Sequence, residues 1–192
     1  MTADTLPAAL AEFVDSMARI IDQPEALLLA QGTVLLKSLI SDGSWLAPEF
    51  REPDAEHYRQ YLLFCDREER FSVVSFVWGP GQSTPIHNHM VWGLVGVLEG
   101  AEIEQAYRRR DAGLSPQGAA RRLDAGSVSA IFVDDDIHRV SNAFDDRVSI
   151  SIHIYGGNIG SIRRATFTTA GDTKPFVSGF ANVPASPSET TQ

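Results

Sequence analysis

Three histidines have the type and spacing that could bind a metal ion. His87 and His89 are separated by Asn88, and His138 follows an apolar stretch that ends at Val133. On a β-strand, residues i and i+2 point to the same face, so the rings of His87 and His89 would converge on one point. The alternative is a pair of partly buried, hydrogen-bonded histidines. Imidazole binds iron, zinc, copper and nickel, so the trio indicates a transition-metal site without selecting the metal.

A second candidate lies in residues 148–155, where apolar and polar residues alternate strictly. This period of two is typical of a β-strand. The polar positions place Ser151, His153 and Tyr155 on one face, where they could form a hydrogen-bonded chain that ends over a buried site. The alternative is a strand with a solvated polar face, although that face carries no charged residue.

The elements that must position these residues change in kind along the chain. Residues 7–41 carry apolar side chains at helical spacing, which predicts two or three helices. From Tyr61 onward, short runs of Val, Ile and Phe between Gly, Pro and Asp are typical of an all-β sandwich or barrel. We interpret Arg108–Gly118 and Asp134–Asp136 as exposed turns. The predicted strands are 60–65, 71–78, 85–91, 93–98, 101–107, 127–133 and 148–155.

Composition and charge narrow the class of protein. The 192 residues suit one domain, and 43% hydrophobic with 21% charged residues is ordinary for a globular protein. A net charge of -9 disfavours nucleic acid and anionic lipid as partners. No stretch approaches the roughly 20 apolar residues of a membrane span, and residues 1–10 lack the basic start of a secretory leader. The single Cys65 cannot form an internal disulfide, which fits a reducing compartment, and we expect a cytoplasmic protein.

The histidine spacing resembles the two motifs of the cupin superfamily. The first motif runs from Gly81 to Gly100 around His87 and His89, and the second is present in part as His138–Asn142. The resemblance implies a mainly β protein with N-terminal helices and a cupin barrel, also called a double-stranded β-helix or jelly roll.

The predicted organisation is a single cupin domain over residues 1–192. Its helical N-terminal part covers 1–50, its β-barrel covers 58–180, and residues 182–192 form a flexible tail rich in Pro, Ser and Thr.

One departure from the cupin motif narrows the family. Gly93 stands where most cupins have a glutamate ligand, which leaves three neutral imidazoles. With Ser151-x-His153-x-Tyr155 after the third histidine, the chain resembles the cysteine dioxygenase family of thiol dioxygenases. Some members carry a cysteine that crosslinks to the tyrosine; Gly93 holds that place, so we expect no crosslink to Tyr155.

The resemblance implies a ligand set and a reaction. His87, His89 and His138 would bind Fe(II), and the enzyme would add both atoms of O2 to the sulfur of a small thiol. The chain of Ser151, His153 and Tyr155 would be catalytic, with the tyrosine hydroxyl donating a hydrogen bond toward the reacting centre.

The substrate depends on residues before and after these motifs. Cysteine-oxidising members resemble Tyr-x-Arg-x-Leu where this chain has Gln60 in the arginine's place. Bacterial relatives with that glutamine, and an arginine after the tyrosine strand, resemble 3-mercaptopropionate dioxygenases, which form 3-sulfinopropionate. Arg164, with Arg163 as its neighbour, is the best match for the arginine that holds the substrate carboxylate.

Two alternatives stay open. If Arg59 faces the pocket instead, the protein would be an L-cysteine dioxygenase that forms cysteine sulfinic acid. A protein of another class, a non-catalytic or non-redox metal-binding cupin, would share the fold without the oxygen chemistry.

Overall fold

A computed structural model of the chain describes residues 6–111 and 113–184. Within these residues, two helices, α1 (Ala8–Ile20) and α2 (Glu25–Leu39), precede twelve strands. The strands are β1 (Arg59–Cys65), β2 (Ser72–Trp78), β3 (Ile86–His87), β4 (Gly93–Glu99), β5 (Ala101–Arg110), β6 (Gly113–Pro116), β7 (Arg121–Asp124), β8 (Val128–Ile131), β9 (His138–Asn142), β10 (Ser149–Tyr155), β11 (Arg164–Phe167) and β12 (Thr173–Phe176).

The strands form two antiparallel sheets. The first has the order β1-β2-β10-β4-β8, and the second has the order β12-β11-β3-β9-β5-β6, with β7 also paired to β5. Buried side chains from both sheets, including Val74, Phe76, Val95 and Val140, fill the space between them. This arrangement confirms the predicted mainly β cupin fold with N-terminal helices.

The helices cover the opposite face of the first sheet. Ile150, Ile152 and Ile154 of β10 pack in one cluster with Met17 of α1 and Leu36 of α2. Because side chains alternate along a strand, this contact turns the polar positions of β10 toward the barrel interior. The helix–sheet contact therefore orients the predicted chain of Ser151, His153 and Tyr155.

The predicted strand 85–91 is wrong in its second half, because β3 ends at His87. Met90 adopts a left-handed φ of 63°, which ends the extended backbone. The carboxylate of Asp136 accepts hydrogen bonds from the backbone N–H groups of His89 and Met90 at 2.7 and 2.8 Å. His89 thus lies on a loop held by a side chain rather than on the strand.

The predicted exposed turns are also wrong in part. Within 108–118, β5 continues to Arg110 and pairs with β6; its polar residues hide the strand pattern. The second turn contains a short 3-10 segment, Val133–Asp135, and Asp136 after it is buried. Strands β7, β9, β11 and β12 were not predicted, because each is only four or five residues long and lacks a regular apolar alternation.

The C-terminal residues are described only in part. Of the tail 182–192, residues 185–192 lie outside the described residues. The Asn182 side chain bonds the backbone N–H and C=O of Leu62 at 2.9 and 3.0 Å. No helix among the described residues is long and apolar enough to cross a membrane.

The helix–sheet contact can be tested at Ile152, which is fully buried. Replacing Ile152 with Ala leaves a cavity and should lower the free energy of unfolding by about 2–5 kcal/mol in urea denaturation. Val34→Ala, at a position 67% exposed on α2, is the control and should change it by no more than about 0.5 kcal/mol. A loss at Ile152 as small as that of the control would contradict the assigned packing.

Candidate active site

The fold brings the three predicted histidines together. His87 of β3 and His138 of β9 are register partners, and His89 follows on the loop after β3. One ring nitrogen from each lies within 4.8 Å of the others, and all three side chains are buried.

The outer nitrogens of His87 and His89 face backbone carbonyl groups. Nδ1 of His87 lies 3.0 Å from the carbonyl oxygen of Pro85, and Nδ1 of His89 lies 3.2 Å from that of Asp136. A carbonyl oxygen only accepts hydrogen bonds, so each Nδ1 carries the proton and each Nε2 keeps a free lone pair. Among the described residues, Nε2 of His89 is buried without a hydrogen-bond partner, as expected of a metal ligand atom.

The third histidine is held by a carboxylate. Nδ1 of His138 donates to Glu104 at 2.8 Å, and Glu104 also accepts from Arg121 and Ser129. Burial alone would raise the pKa of Glu104, but the hydrogen bonds from His138 and Arg121 and the charge of Arg121 lower it to about 2. An ionised carboxylate behind a histidine fixes its tautomer and strengthens it as a ligand.

Burial keeps two of the three histidines neutral: it lowers the pKa of His87 to about 3 and that of His89 well below the ordinary value. Metal binding needs unprotonated imidazole. Three convergent imidazole nitrogens with no carboxylate among them fit a divalent transition metal.

The polar face of β10 forms a continuous hydrogen-bonded chain. The Ser151 hydroxyl lies 2.8 Å from Nε2 of His153, and Nδ1 of His153 lies 2.8 Å from the hydroxyl of Tyr155. The Tyr155 ring stacks on that of His89, with centroids 5.4 Å apart. Burial raises the pKa of Tyr155 and lowers that of His153, so the chain consists of neutral groups and ends beside a histidine of the cluster.

Gly93 lies opposite Tyr155 in the pairing of β4 with β10. A Cβ atom at this position would lie 3.2 Å from Cδ1 of the tyrosine ring. A side chain at this position would touch the tyrosine ring. Glycine has no sulfur that could crosslink to Tyr155.

A cavity of about 350 Å³ opens beside the cluster. His87 and Tyr155 line it, together with Gln60, Arg164 and Lys174. The volume suits a small ligand, and the lining places positive charge beside the three histidines.

Arg164 is a buried cation, with 5% of its surface exposed. Its guanidinium donates to the Ile159 carbonyl and the Ser178 hydroxyl, and it lies over the Phe176 ring at 4.6 Å. Among residues 6–111 and 113–184, no carboxylate pairs with it, and its buried Nε has no partner. Buried charges are normally paired with an opposite charge. The guanidinium of Arg164 therefore lacks the anion that would balance it.

The sequence matches the family model of cysteine dioxygenase type I over residues 7–166. The chain belongs to the cysteine dioxygenase type I family. Membership indicates a thiol dioxygenase, an oxidoreductase that acts on a small thiol with O2, and it confirms the family resemblance read from the two histidine motifs.

Solved structures show a weaker similarity. A Klebsiella pneumoniae protein with a double-stranded β-helix domain has 14% identity and a TM-score of 0.47, covering 72% of this chain and 93% of that one. A cupin superfamily protein from Desulfitobacterium hafniense has 15% identity and a TM-score of 0.44, covering 64% and 88%. Similarities at this level do not bear on the activity.

Two other arginines of this cysteine dioxygenase family member lie away from the cavity. Arg163 is exposed and lines a separate surface depression. Arg59 pairs with Asp54 and lines another. Of the three arginines considered from the sequence, Arg164 alone lines the cavity beside the histidines.

Sequence reasoning missed three carboxylates of this family member's site. Glu104 holds His138, Asp136 holds the His89 loop, and Glu102 is fully buried on β5. Glu102 and Glu104 share one face of a predicted strand, 101–107. Two acids at i and i+2 next to apolar residues were the available signal, because buried carboxylates are rare without a role.

Loss of the carboxylate behind His138 should weaken metal binding. We expect Glu104→Gln to lower the affinity for Fe(II) by about tenfold or more, measured by competition with a chelator under anaerobic conditions. Glu99→Gln, which removes the half-exposed partner of Arg51, is the matched control and should bind as the unmodified protein does. Equal affinity in both variants would remove Glu104 from metal binding.

Proposed function

We propose that the protein is an Fe(II)-dependent 3-mercaptopropionate dioxygenase. It adds both atoms of O2 to the sulfur of 3-mercaptopropionate and forms 3-sulfinopropionate. The proposal is supported by the family, by the buried three-histidine cluster and by the buried cation in the adjoining cavity.

The observation that carries the proposal is the unpaired guanidinium of Arg164. Burial lowers the pKa of Arg164, but arginine stays protonated at neutral pH. A substrate carboxylate would pair with the guanidinium of Arg164 through charge-assisted hydrogen bonds. With its carboxylate bound to the arginine, the three-carbon chain of 3-mercaptopropionate would extend toward the histidines and direct its thiol to them.

The charges around the cavity favour 3-mercaptopropionate over L-cysteine. Cysteine carries an ammonium group, whose charge is costly to bury unless an anion pairs with it. None of the described residues that line the cavity is acidic, and Lys174 adds a second cation. The pairing of Arg59 with Asp54 on another surface also supports 3-mercaptopropionate over the cysteine alternative.

In the proposed reaction the thiol loses its proton and the sulfur is oxidised to a sulfinate. The electrons that reduce both oxygen atoms come from the sulfur, so no external reductant is needed. Bound Fe(II), held by Nε2 of His87, His89 and His138, would supply the one-electron chemistry that lets O2 react with a thiolate.

The protein's own side chains would orient the substrate and hold a proton beside it. Arg164 holds the carboxylate, with Gln60 beside it in the cavity lining. Tyr155 holds a proton on its hydroxyl at the cavity wall, and burial raises the pKa of Tyr155 so that this proton is kept. His153 and Ser151 fix the direction of the hydroxyl.

The activity is tested by oxygen uptake. The protein, expressed with iron and analysed for bound metal, is given 3-mercaptopropionate and L-cysteine side by side. We expect bound iron and a higher kcat/KM for 3-mercaptopropionate. A preference for L-cysteine would contradict the substrate assignment, and iron-loaded protein that consumes no O2 with either thiol would favour a non-catalytic cupin.

The carboxylate site is tested by two adjacent arginines. Arg164→Ala should raise KM for 3-mercaptopropionate by roughly 10- to 100-fold, because a hydrogen bond to a charged group contributes about 1.5–3 kcal/mol. Arg163→Ala removes an equal but exposed charge and should leave KM within about twofold. The reverse result would move the carboxylate site to Arg163.

A further inference from the structure

A buried carboxyl group lies at the inner end of the β10 hydrogen-bonded chain. Glu102 on β5 has no exposed surface. Among the described residues, neither of its carboxyl oxygens has a well-formed hydrogen bond. The Ser151 hydroxyl and the Trp78 indole N–H are close enough to lower its pKa. A buried acid without a cationic partner keeps its proton more readily than an exposed one.

The contacts of Ser151 connect this acid to the tyrosine. The Ser151 oxygen accepts a hydrogen bond from the Trp78 indole at 3.2 Å and lies 2.8 Å from Nε2 of His153. His153 is in turn 2.8 Å from the Tyr155 hydroxyl. A hydroxyl has one proton to donate, so Ser151 donates either to His153 or to Glu102.

We propose that Glu102 is a positioning residue whose proton sets the direction of the whole chain out to Tyr155. The protonated acid donates to Ser151, Ser151 donates to Nε2 of His153, and Nδ1–H of His153 donates to the tyrosine oxygen. The Tyr155 O–H then points into the cavity as a donor.

Ionisation of Glu102 reverses every bond. Ser151 donates to the carboxylate, Nε2–H of His153 donates to Ser151, and the Tyr155 hydroxyl donates to Nδ1 of His153. Tyr155 then offers the cavity only lone pairs. One proton on Glu102 therefore decides whether the site has a donor at this position.

The surroundings of Glu102 place this change near neutral pH. Burial raises the pKa of Glu102 to about 7, although the nearby Ser151 and Trp78 groups lower it, and the charge of Glu104 on the same strand raises it further. On β10, Tyr155 is a titratable group that interacts with it, since the charge of Glu102 raises the pKa of Tyr155. Its strand partners, Leu123 on β7 and Asn142 on β9, are neutral.

The tautomer of His153 reports the direction of the chain without turnover. In the Zn²⁺-loaded protein, ring 15N–1H correlations distinguish Nδ1–H from Nε2–H; the metal holds three of the five histidines and His57 is exposed. We expect Nδ1–H on His153 well below the Glu102 pKa of about 7 and Nε2–H well above it. One tautomer at both pH values would overturn the proposal.

Glu102→Gln replaces the titrating carboxyl group with an amide that still donates a hydrogen bond. Its amide can donate to Ser151 at every pH, so His153 should stay Nδ1–H throughout; a pH change that persists in this variant would overturn the proposal. Glu12→Gln, at an exposed acid on α1, is the matched control and should behave as the unmodified protein does.

Stability gives a second readout that needs no metal. The pKa of Glu102 is about 7 when folded against an ordinary 4.5, so the folded state binds more protons between these values. The unmodified protein should therefore lose thermal stability relative to Glu102→Gln as the pH rises from 4.5 to about 7. A constant difference in Tm would contradict a titrating Glu102.

The kinetic consequence rests on the proposed function. With 3-mercaptopropionate, kcat should fall by up to about 10²-fold as the pH rises through 7, and Glu102→Gln should remove this fall. A missing oxygen uptake would contradict the proposed function alone, whereas an unchanged His153 tautomer would contradict the role of Glu102 alone. Active enzyme whose pH profile is the same in Glu102→Gln would also contradict that role.

Discussion

Burial of ionisable groups in the barrel interior is the constraint on which the rest of this site depends. Charged groups are costly to bury, and each ionisable residue in the interior responds in its own way. His87 and His89 lose their protons, Tyr155 keeps its proton, and Arg164 keeps a charge that no described carboxylate balances. In the interior, the histidine nitrogens offer lone pairs to a cation, and the arginine offers a positive charge to an anion.

Two glutamates on β5 show how strongly the local environment decides charge. Glu104 receives hydrogen bonds from His138, Arg121 and Ser129, which lower its pKa to about 2. Glu102 lies two residues away without a cationic partner, and burial raises its pKa to about 7. Although both lie on the same strand, their different hydrogen-bond partners and neighbouring charges separate their pKa values. One acid supports a ligand as an anion, and the other can hold a proton.

The helices and the site are connected through a single strand. β10 lies between β2 and β4, and its isoleucines pack against α1 and α2 while its polar residues face the barrel. Packing on one face therefore holds the hydrogen-bonded chain on the other. The site depends on helices that contribute no residue to the cavity lining.

The sequence by itself determined the β fold, the three histidines and the polar face of β10, because these depend on local periodicity and short spacings. Strands β7, β9, β11 and β12 escaped prediction, since strands of four or five residues carry too little pattern. Only the tertiary structure decided that Arg164 rather than Arg163 or Arg59 lines the cavity, and that Asp136, Glu104 and Glu102 are buried around the site. The physical reason is that burial and charge pairing arise from residues far apart in the chain, whereas alternation along a strand is written in neighbouring residues.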